Sequence, residues 1–107
     1  MDTNVNQIVT AYAKQVSERY PVKAVYLYGS HVTEKANQYS DIDIAVIIDP
    51  IDDKEYYLIF SELFKIAADY SANIEPNLLI DDGSNCKYSF LAEVLENGRI
   101  IYGANKC

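Results

Sequence analysis

The sequence predicts a single α/β domain in which a small mixed β-sheet is packed with helices. Apolar residues recur at helical spacing in some segments, whereas short runs rich in β-branched and aromatic residues occur in others. These segments alternate as helix, strand, helix, strand, helix, strand and helix, the order typical of helices layered on a sheet. The chain has 107 residues, of which 50% are hydrophobic, so it is close to the commonest domain size and can bury a core. We therefore expect residues 1–107 to form one domain.

The N-terminal part is predicted to contain two helices and two strands. Residues 3–19 form an amphipathic helix, because apolar side chains recur every three or four positions. Residues 23–28 (KAVYLY) form a short strand that stops at a Gly-Ser turn. The polar residues 31–37 form a short helix, and residues 41–48 (DIDIAVII) form a strong strand.

A long helix follows, beginning at Asp52 or Asp53 and extending to Tyr70. Its apolar stripe is wider than one sheet face requires, because it includes Leu58, Phe64 and Ile66. Two explanations fit this width. The extra side chains form a docking surface for another protein, or the helix is packed on both sides.

The C-terminal part is predicted to add a third strand over residues 72–80 and a helix over 89–97 that ends at Gly98. Pro76 interrupts the third strand and cannot donate a backbone hydrogen bond, so this strand should lie at an edge of the sheet or contain a bulge. A brief strand over 100–102 completes the chain.

Charge and composition exclude several classes of protein. With 16 acidic and 9 basic residues and a net charge of −7, the chain lacks the basic stripe that grips a long nucleic acid. It has no apolar run of about 18 residues and no signal peptide, so we expect no membrane association. The two cysteines belong to no cluster, which disfavours a zinc site and favours a reducing, cytoplasmic location.

The stretch over residues 29–46 combines features suited to phosphate chemistry. Gly29 and Ser30 lie between a strand and a helix start, where backbone N–H groups can approach phosphate oxygens. Asp41 and Asp43 are two positions apart on a strand, so their carboxylates project from the same face. Like-charge repulsion between them would be relieved by divalent cations, which serve phosphoryl and nucleotidyl transfer in pairs.

Glu75 is the only carboxylate within the apolar run of the third strand. If that strand lies beside residues 41–48, Glu75 converges on Asp41 and Asp43. It could then bind a metal ion or accept the proton of an attacking hydroxyl.

Together, Gly29-Ser30, ten intervening residues and Asp41-x-Asp43 resemble the minimal nucleotidyltransferase (MNT) domains of the DNA polymerase β-like superfamily. The resemblance implies the polymerase β-like nucleotidyltransferase fold. It also implies that Gly29 and Ser30 hold the β- and γ-phosphates of a nucleoside triphosphate, and that Asp41 and Asp43 bind two Mg²⁺ ions. Glu75 would take the third carboxylate position. That position is more typically Asp, and here Glu is followed by Pro76, which could alter the metal geometry.

Small members that consist of this domain alone resemble the MNT antitoxins that are paired with HEPN-domain toxins. Those antitoxins are similar to adenylyltransferases that place AMP on a tyrosine of the partner toxin. The resemblance thus implies a Mg²⁺-dependent enzyme that moves AMP from ATP to a hydroxyl of a helical HEPN-type partner, which supplies the acceptor side. One alternative is a non-catalytic antitoxin that neutralises its partner by complex formation. Another is the catalytic subunit of a small-molecule nucleotidyltransferase. Base specificity and homo-oligomerisation are left open by the sequence.

Three further residues have alternative interpretations. His31 follows Ser30 and is either a surface residue, which is favoured, or an auxiliary phosphate contact. Tyr26 and Tyr28 share one face of their strand. Packing in the core is the favoured interpretation for both, with contact to a ribose or base as the alternative.

Overall fold

The protein consists of a four-stranded mixed sheet with helices on both faces. Its structure is a computed structural model, which describes residues 3–29, 41–83 and 89–103. The sheet order is β3-β2-β1-β4, with β1 antiparallel to β2 and β4, and β2 parallel to β3. The predicted α/β class is confirmed. The elements are α1 (Thr3–Arg19), β1 (Val22–Tyr28), β2 (Ile42–Ile48), α2 (Asp53–Ala68), β3 (Ile74–Ile80), α3 (Phe90–Asn97) and β4 (Arg99–Gly103).

These bounds agree with the predicted elements to within a few residues. The short helix predicted over residues 31–37 lies outside the described residues. None of the described helices is both long and apolar enough to span a membrane.

The two faces of the sheet pack against different helices. Alternate strand residues, such as Leu27, Ile44 and Val46, pack with α1 and α2 in the larger core cluster. The intervening residues, such as Tyr26 and Ala45, pack with α3 in a smaller cluster. This alternation follows from the two-residue period of a strand. Ile42, Ile44 and Val46 therefore point into the larger core, away from the face that carries Asp43.

Strand β3 lies at one edge of the sheet. Its register with β2 continues without a shift from Ile42 opposite Ile74 to Ile48 opposite Ile80, and Pro76 stands opposite Ile44. Of the two expected solutions for Pro76, the edge position is therefore the one observed. The α2 crossover brings the two strands together in parallel, since parallel neighbours cannot be joined by a tight turn.

Side-chain caps fix where two helices begin. The Asp52 carboxylate accepts a hydrogen bond from the Glu55 N–H at 2.8 Å, so Asp52 is the cap of α2. The Ser89 hydroxyl accepts one from the Ala92 N–H at 3.1 Å and caps α3. As predicted, α3 ends at Gly98.

An ion-pair cluster closes one end of the sheet. Lys23 Nζ lies 3.4 Å from Asp49 and 3.3 Å from Asp81, whose side chain is only 7% exposed. The Gly83 N–H donates to the Asp81 carboxylate at 3.0 Å. These contacts join the start of β1 to the ends of β2 and β3. The opposite end of the sheet, where β1 ends and β2 and β3 begin, carries the predicted site.

Candidate functional site

Three polar side chains stand side by side where β1 ends and β2 and β3 begin. Tyr28 on β1 is opposite Asp43 on β2, and Asp43 is in register with Glu75 on β3. Neighbouring strands are about 4.8 Å apart, and residues in register point to the same face. Of the two aspartates on which Glu75 was expected to converge, Asp43 is its direct neighbour in the sheet, on the face that α3 covers.

Gly29 lies directly against the Asp43 carboxylate. A Cβ atom at Gly29 would be 2.4 Å from Asp43 Oδ2, and the backbone φ there is +77°. Both the close approach and the positive φ require glycine. The structure thus brings Gly29 and Asp43 together, whereas Ser30 and His31 lie outside the described residues.

Asp41 immediately precedes β2 and is exposed. Its neighbour Ile42 donates its N–H to the Asn73 carbonyl at 2.7 Å, which holds the start of β2 against the start of β3. Within the described ranges, however, no group of three or more His, Cys, Asp or Glu side chains could hold a metal ion. Asp43 and Glu75 are adjacent, but the three predicted carboxylates do not form one cluster, and their role as a metal site stays a prediction.

The hydroxyl of Tyr28 reaches across β2 to the edge strand. Asn77 Nδ2 donates a hydrogen bond to Tyr28 Oη at 2.5 Å. Burial raises the pKa of Tyr28, and the negative charges of Asp43 and Glu75 raise it further, although the hydrogen bond from Asn77 acts in the opposite direction. The phenol is therefore neutral near pH 7.

A cavity of about 430 Å³ opens next to this row, between the end of β1 and α3. Its walls include Tyr28, Gly29, Phe90, Glu93 and Asn97. The rings of Tyr28 and Phe90 are in edge-to-face contact with centroids 5.4 Å apart. Tyr28 thus links the carboxylate row to the cavity.

The structure separates the two tyrosines of β1 that the sequence treated together. Tyr26 is buried in the smaller core cluster, as favoured, whereas Tyr28 is half-buried, packs against the edge of that cluster and also lines the cavity. Sequence reasoning also missed Asn77 and the cavity residues of α3. Asn77 could have been found, because it is two positions after Glu75 and must share its face. The polar residues of α3 could not have been found in this way, because their pattern in the sequence indicates only an amphipathic helix and not a cavity.

The wide apolar stripe of α2 divides into a buried and an exposed part. Leu58 is 62% exposed and Phe64 is 46% exposed, whereas Ile66 is 3% exposed and packs in the core. Ile66 therefore does not belong to an outer surface, because the sheet covers it. Tyr57 is exposed beside Leu58, and we call Tyr57, Leu58 and Phe64 the α2 ridge.

The mixed sheet has a glycine turn at the end of β1 and acidic positions at the start of β2 and on β3, which is the arrangement expected of a nucleotidyltransferase domain. Residues 10–107 match the family model described as "Polymerase beta, Nucleotidyltransferase". The chain belongs to this family, and it has the polymerase β-like nucleotidyltransferase fold.

Solved structures share this fold at low sequence identity. A protein of Sulfolobus solfataricus described as a nucleotidyltransferase is similar with a TM-score of 0.63 and 15% identity, over 92% of this chain and 80% of that one. A chain of a toxin–antitoxin complex with AMP-PNP gives a TM-score of 0.56 and 21% identity, over 90% and 74% of the two chains. A chain of a complex of tri-AMPylated Shewanella oneidensis HEPN toxin with MNT antitoxin gives a TM-score of 0.53 and 21% identity, over 92% of this chain and 73% of that one. No match was found among curated proteins.

Proposed function

We propose that this chain is a protein adenylyltransferase that transfers AMP from ATP to a hydroxyl of a HEPN-type partner, as the antitoxin of a HEPN/MNT pair. The observation that carries the proposal is the register of Asp43 with Glu75, directly beside the Gly29 turn. Similarity to chains from complexes described with an AMPylated HEPN toxin and with AMP-PNP supports the choice of nucleotide and partner.

The chemistry of each site residue suggests a distinct role for it in the proposed reaction. Gly29 and Ser30 would bind the β- and γ-phosphates, and Asp41, Asp43 and Glu75 would hold Mg²⁺. The donor set fits, since carboxylate oxygens are the ligands this hard cation prefers and Asp43 and Glu75 are adjacent. When bound, Mg²⁺ would neutralise charge on the phosphate oxygens.

The reaction itself is a displacement at the α-phosphate. The acceptor oxygen forms a bond to the α-phosphorus, the bond to the bridging oxygen of the β-phosphate breaks, and pyrophosphate leaves. The proton of the acceptor hydroxyl must go to a base, and a Glu75 carboxylate oxygen is the candidate when that group is not fully engaged with metal.

The α2 ridge is the surface we assign to the partner. Tyr57, Leu58 and Phe64 expose apolar area on one helix, and charged residues of both signs are exposed around them, namely Asp53, Lys54, Glu55 and Lys65. Helix-in-groove contacts have this composition, with apolar anchors and a charged rim. A helical partner with an apolar groove and a rim of mixed charge would complement it.

The decisive experiment mixes the chain with ATP labelled at the α-phosphate, Mg²⁺ and the purified product of the adjacent reading frame. Label should appear on that partner and disappear with Asp43→Asn. The matched control is Asp49→Asn, an exposed aspartate at the other end of the same strand, which should transfer normally.

Two outcomes would replace the proposal. A stable complex without label, unaffected by Asp43→Asn, would identify a non-catalytic antitoxin. Label on a metabolite instead of the protein would identify the catalytic subunit of a small-molecule nucleotidyltransferase.

A further inference from the structure

The cavity beside α3 is continuous with the proposed phosphate turn. Gly29 belongs to both, since it lines the cavity and contacts the Asp43 carboxylate. A ligand whose phosphates lie at Gly29 and Asp43 can therefore extend into the cavity. This continuity raises the question of which part of a nucleotide the cavity fits.

Three cavity residues form one stripe along α3. Phe90, Glu93 and Asn97 are three and four positions apart, so their side chains point to the same side of the helix. Phe90 is 47% exposed although its ring contacts Tyr28, so it offers uncovered aromatic surface. An aromatic wall followed by a carboxylate and an amide matches a flat heterocycle with polar edge groups.

The size of the cavity favours a nucleoside over a single acceptor side chain. Its volume of about 430 Å³ falls within the range of about 300–1,000 Å³ found for small-molecule sites. A protein side chain would leave most of this space empty, whereas a base with its ribose would fill a large part of it.

We propose that this cavity binds the nucleoside of the triphosphate and that Glu93 selects a base carrying an exocyclic amino group. An ionised carboxylate only accepts hydrogen bonds, so it pairs with an amino group and repels a carbonyl oxygen. Phe90 packs on the base, and Asn97 pairs with either kind of edge group. The inference rests on the proposed function, because it assumes that the ligand is a nucleoside triphosphate.

Binding calorimetry with Mg²⁺ and non-hydrolysable analogues tests this assignment without turnover. The α,β-methylene analogue of ATP should bind more tightly than the corresponding UTP analogue and inorganic tripolyphosphate. Glu93→Ala should weaken the ATP analogue about tenfold, since hydrogen bonds to charged groups are among the strong ones, and leave tripolyphosphate unchanged. Glu96→Ala changes a glutamate three positions further along the same helix that is exposed like Glu93 but does not line the cavity, and it should alter neither.

The outcomes separate the inference from the proposed function. Equal binding of the ATP analogue by Glu93→Ala and the unmodified chain, or equal affinity for tripolyphosphate and the ATP analogue, overturns the cavity assignment alone. Selective ATP binding without transfer to any acceptor overturns the proposed function but supports the cavity assignment. Failure of every phosphate ligand to bind overturns both.

Discussion

At the residue scale, the tightest contact of the candidate site is between Gly29 and Asp43. The carboxylate lies so close that a Cβ atom at Gly29 would clash with it, and the backbone there has a positive φ. The glycine therefore contributes twice, by adopting the turn and by leaving room for the acid. These two contributions can be separated by mutation, because Gly83 also has a positive φ but has nothing within 4 Å of its Cβ position.

Gly29→Ala should destabilise the fold more than Gly83→Ala. Gly83 has a φ of +84° and nothing within 4 Å of its Cβ position, so alanine there costs about 1–2 kcal/mol of backbone strain. Alanine at Gly29 adds the clash with Asp43, of about 1–3 kcal/mol. Urea unfolding of both variants measures the difference, and equal free energies of unfolding would show that the Asp43 carboxylate moves aside freely.

Tyr12 is the residue whose hydroxyl joins the first two helices. It is fully buried and donates to the Leu63 carbonyl at 2.9 Å, and burial raises its pKa far above the ordinary value. Tyr12→Phe should lower the free energy of unfolding near pH 7 by about 1 kcal/mol. The matched control is Tyr57→Phe at an exposed position, which should change nothing.

The stabilisation that Tyr12 provides should be lost at alkaline pH. A folded pKa above the unfolded value of about 10 means that the stabilisation is complete below pH 10 and is lost as pH rises beyond it. The difference in stability between the unmodified chain and Tyr12→Phe should therefore shrink in urea titrations at pH 10.5 compared with pH 8. A constant difference would contradict this linkage.

At the element scale, α3 is short and depends on its cap. It has eight residues, which is too few for independent stability, and Ser89 satisfies the Ala92 N–H. Ser89→Ala should cost about 1 kcal/mol and speed hydrogen exchange of the α3 amides more than that of the sheet. Ser61→Ala, at an exposed position within α2, is the control, and similar exchange in both variants would mean that packing alone holds α3.

The two parts of the α2 stripe should respond differently to charge. Leu58→Asp places a charge on the exposed ridge, so it should leave the thermal midpoint nearly unchanged and weaken the complex with the HEPN-type partner at least tenfold in calorimetry. Leu58→Met should bind normally. Ile66→Asp should unfold the chain, since it buries a charge in the core. Undiminished binding by Leu58→Asp would place the partner elsewhere.

The sequence predicted where helices and strands form better than it predicted what packs against their side chains, for a physical reason. Local periodicity and turn residues fix where α1 and β2 form, and the missing donor of Pro76 restricted β3 to an edge or a bulge, of which the structure has the edge. Periodicity gives the width of an apolar stripe, however, and not what covers it, so Ile66 could not be distinguished from Leu58. That Glu93 lines the same cavity as Tyr28 and Gly29 depends on how α3 packs on the sheet, and no local sequence pattern predicts that packing.

At the scale of the whole molecule, binding of Mg²⁺ at the proposed site should be measurable as a gain in stability. If the site binds the ion only when folded, Mg²⁺ at ten times its Kd should stabilise the chain by about 1.4 kcal/mol and raise the thermal midpoint by several degrees. Asp43→Asn should abolish the rise, whereas Asp49→Asn should keep it. An equal rise in both variants would indicate general screening of the net charge of −7.

The pairing of β2 with β3 also sets when the site can form. Asp43 and Glu75 are 32 positions apart in the chain and meet only through the parallel crossover of α2. Bringing residues so far apart in sequence together has a loop-closure entropy cost. Their like charges add up to about 1 kcal/mol against the native register. A chain in which β3 is not paired with β2 therefore lacks the acidic pair, so detachment of this one edge strand would separate the two carboxylates.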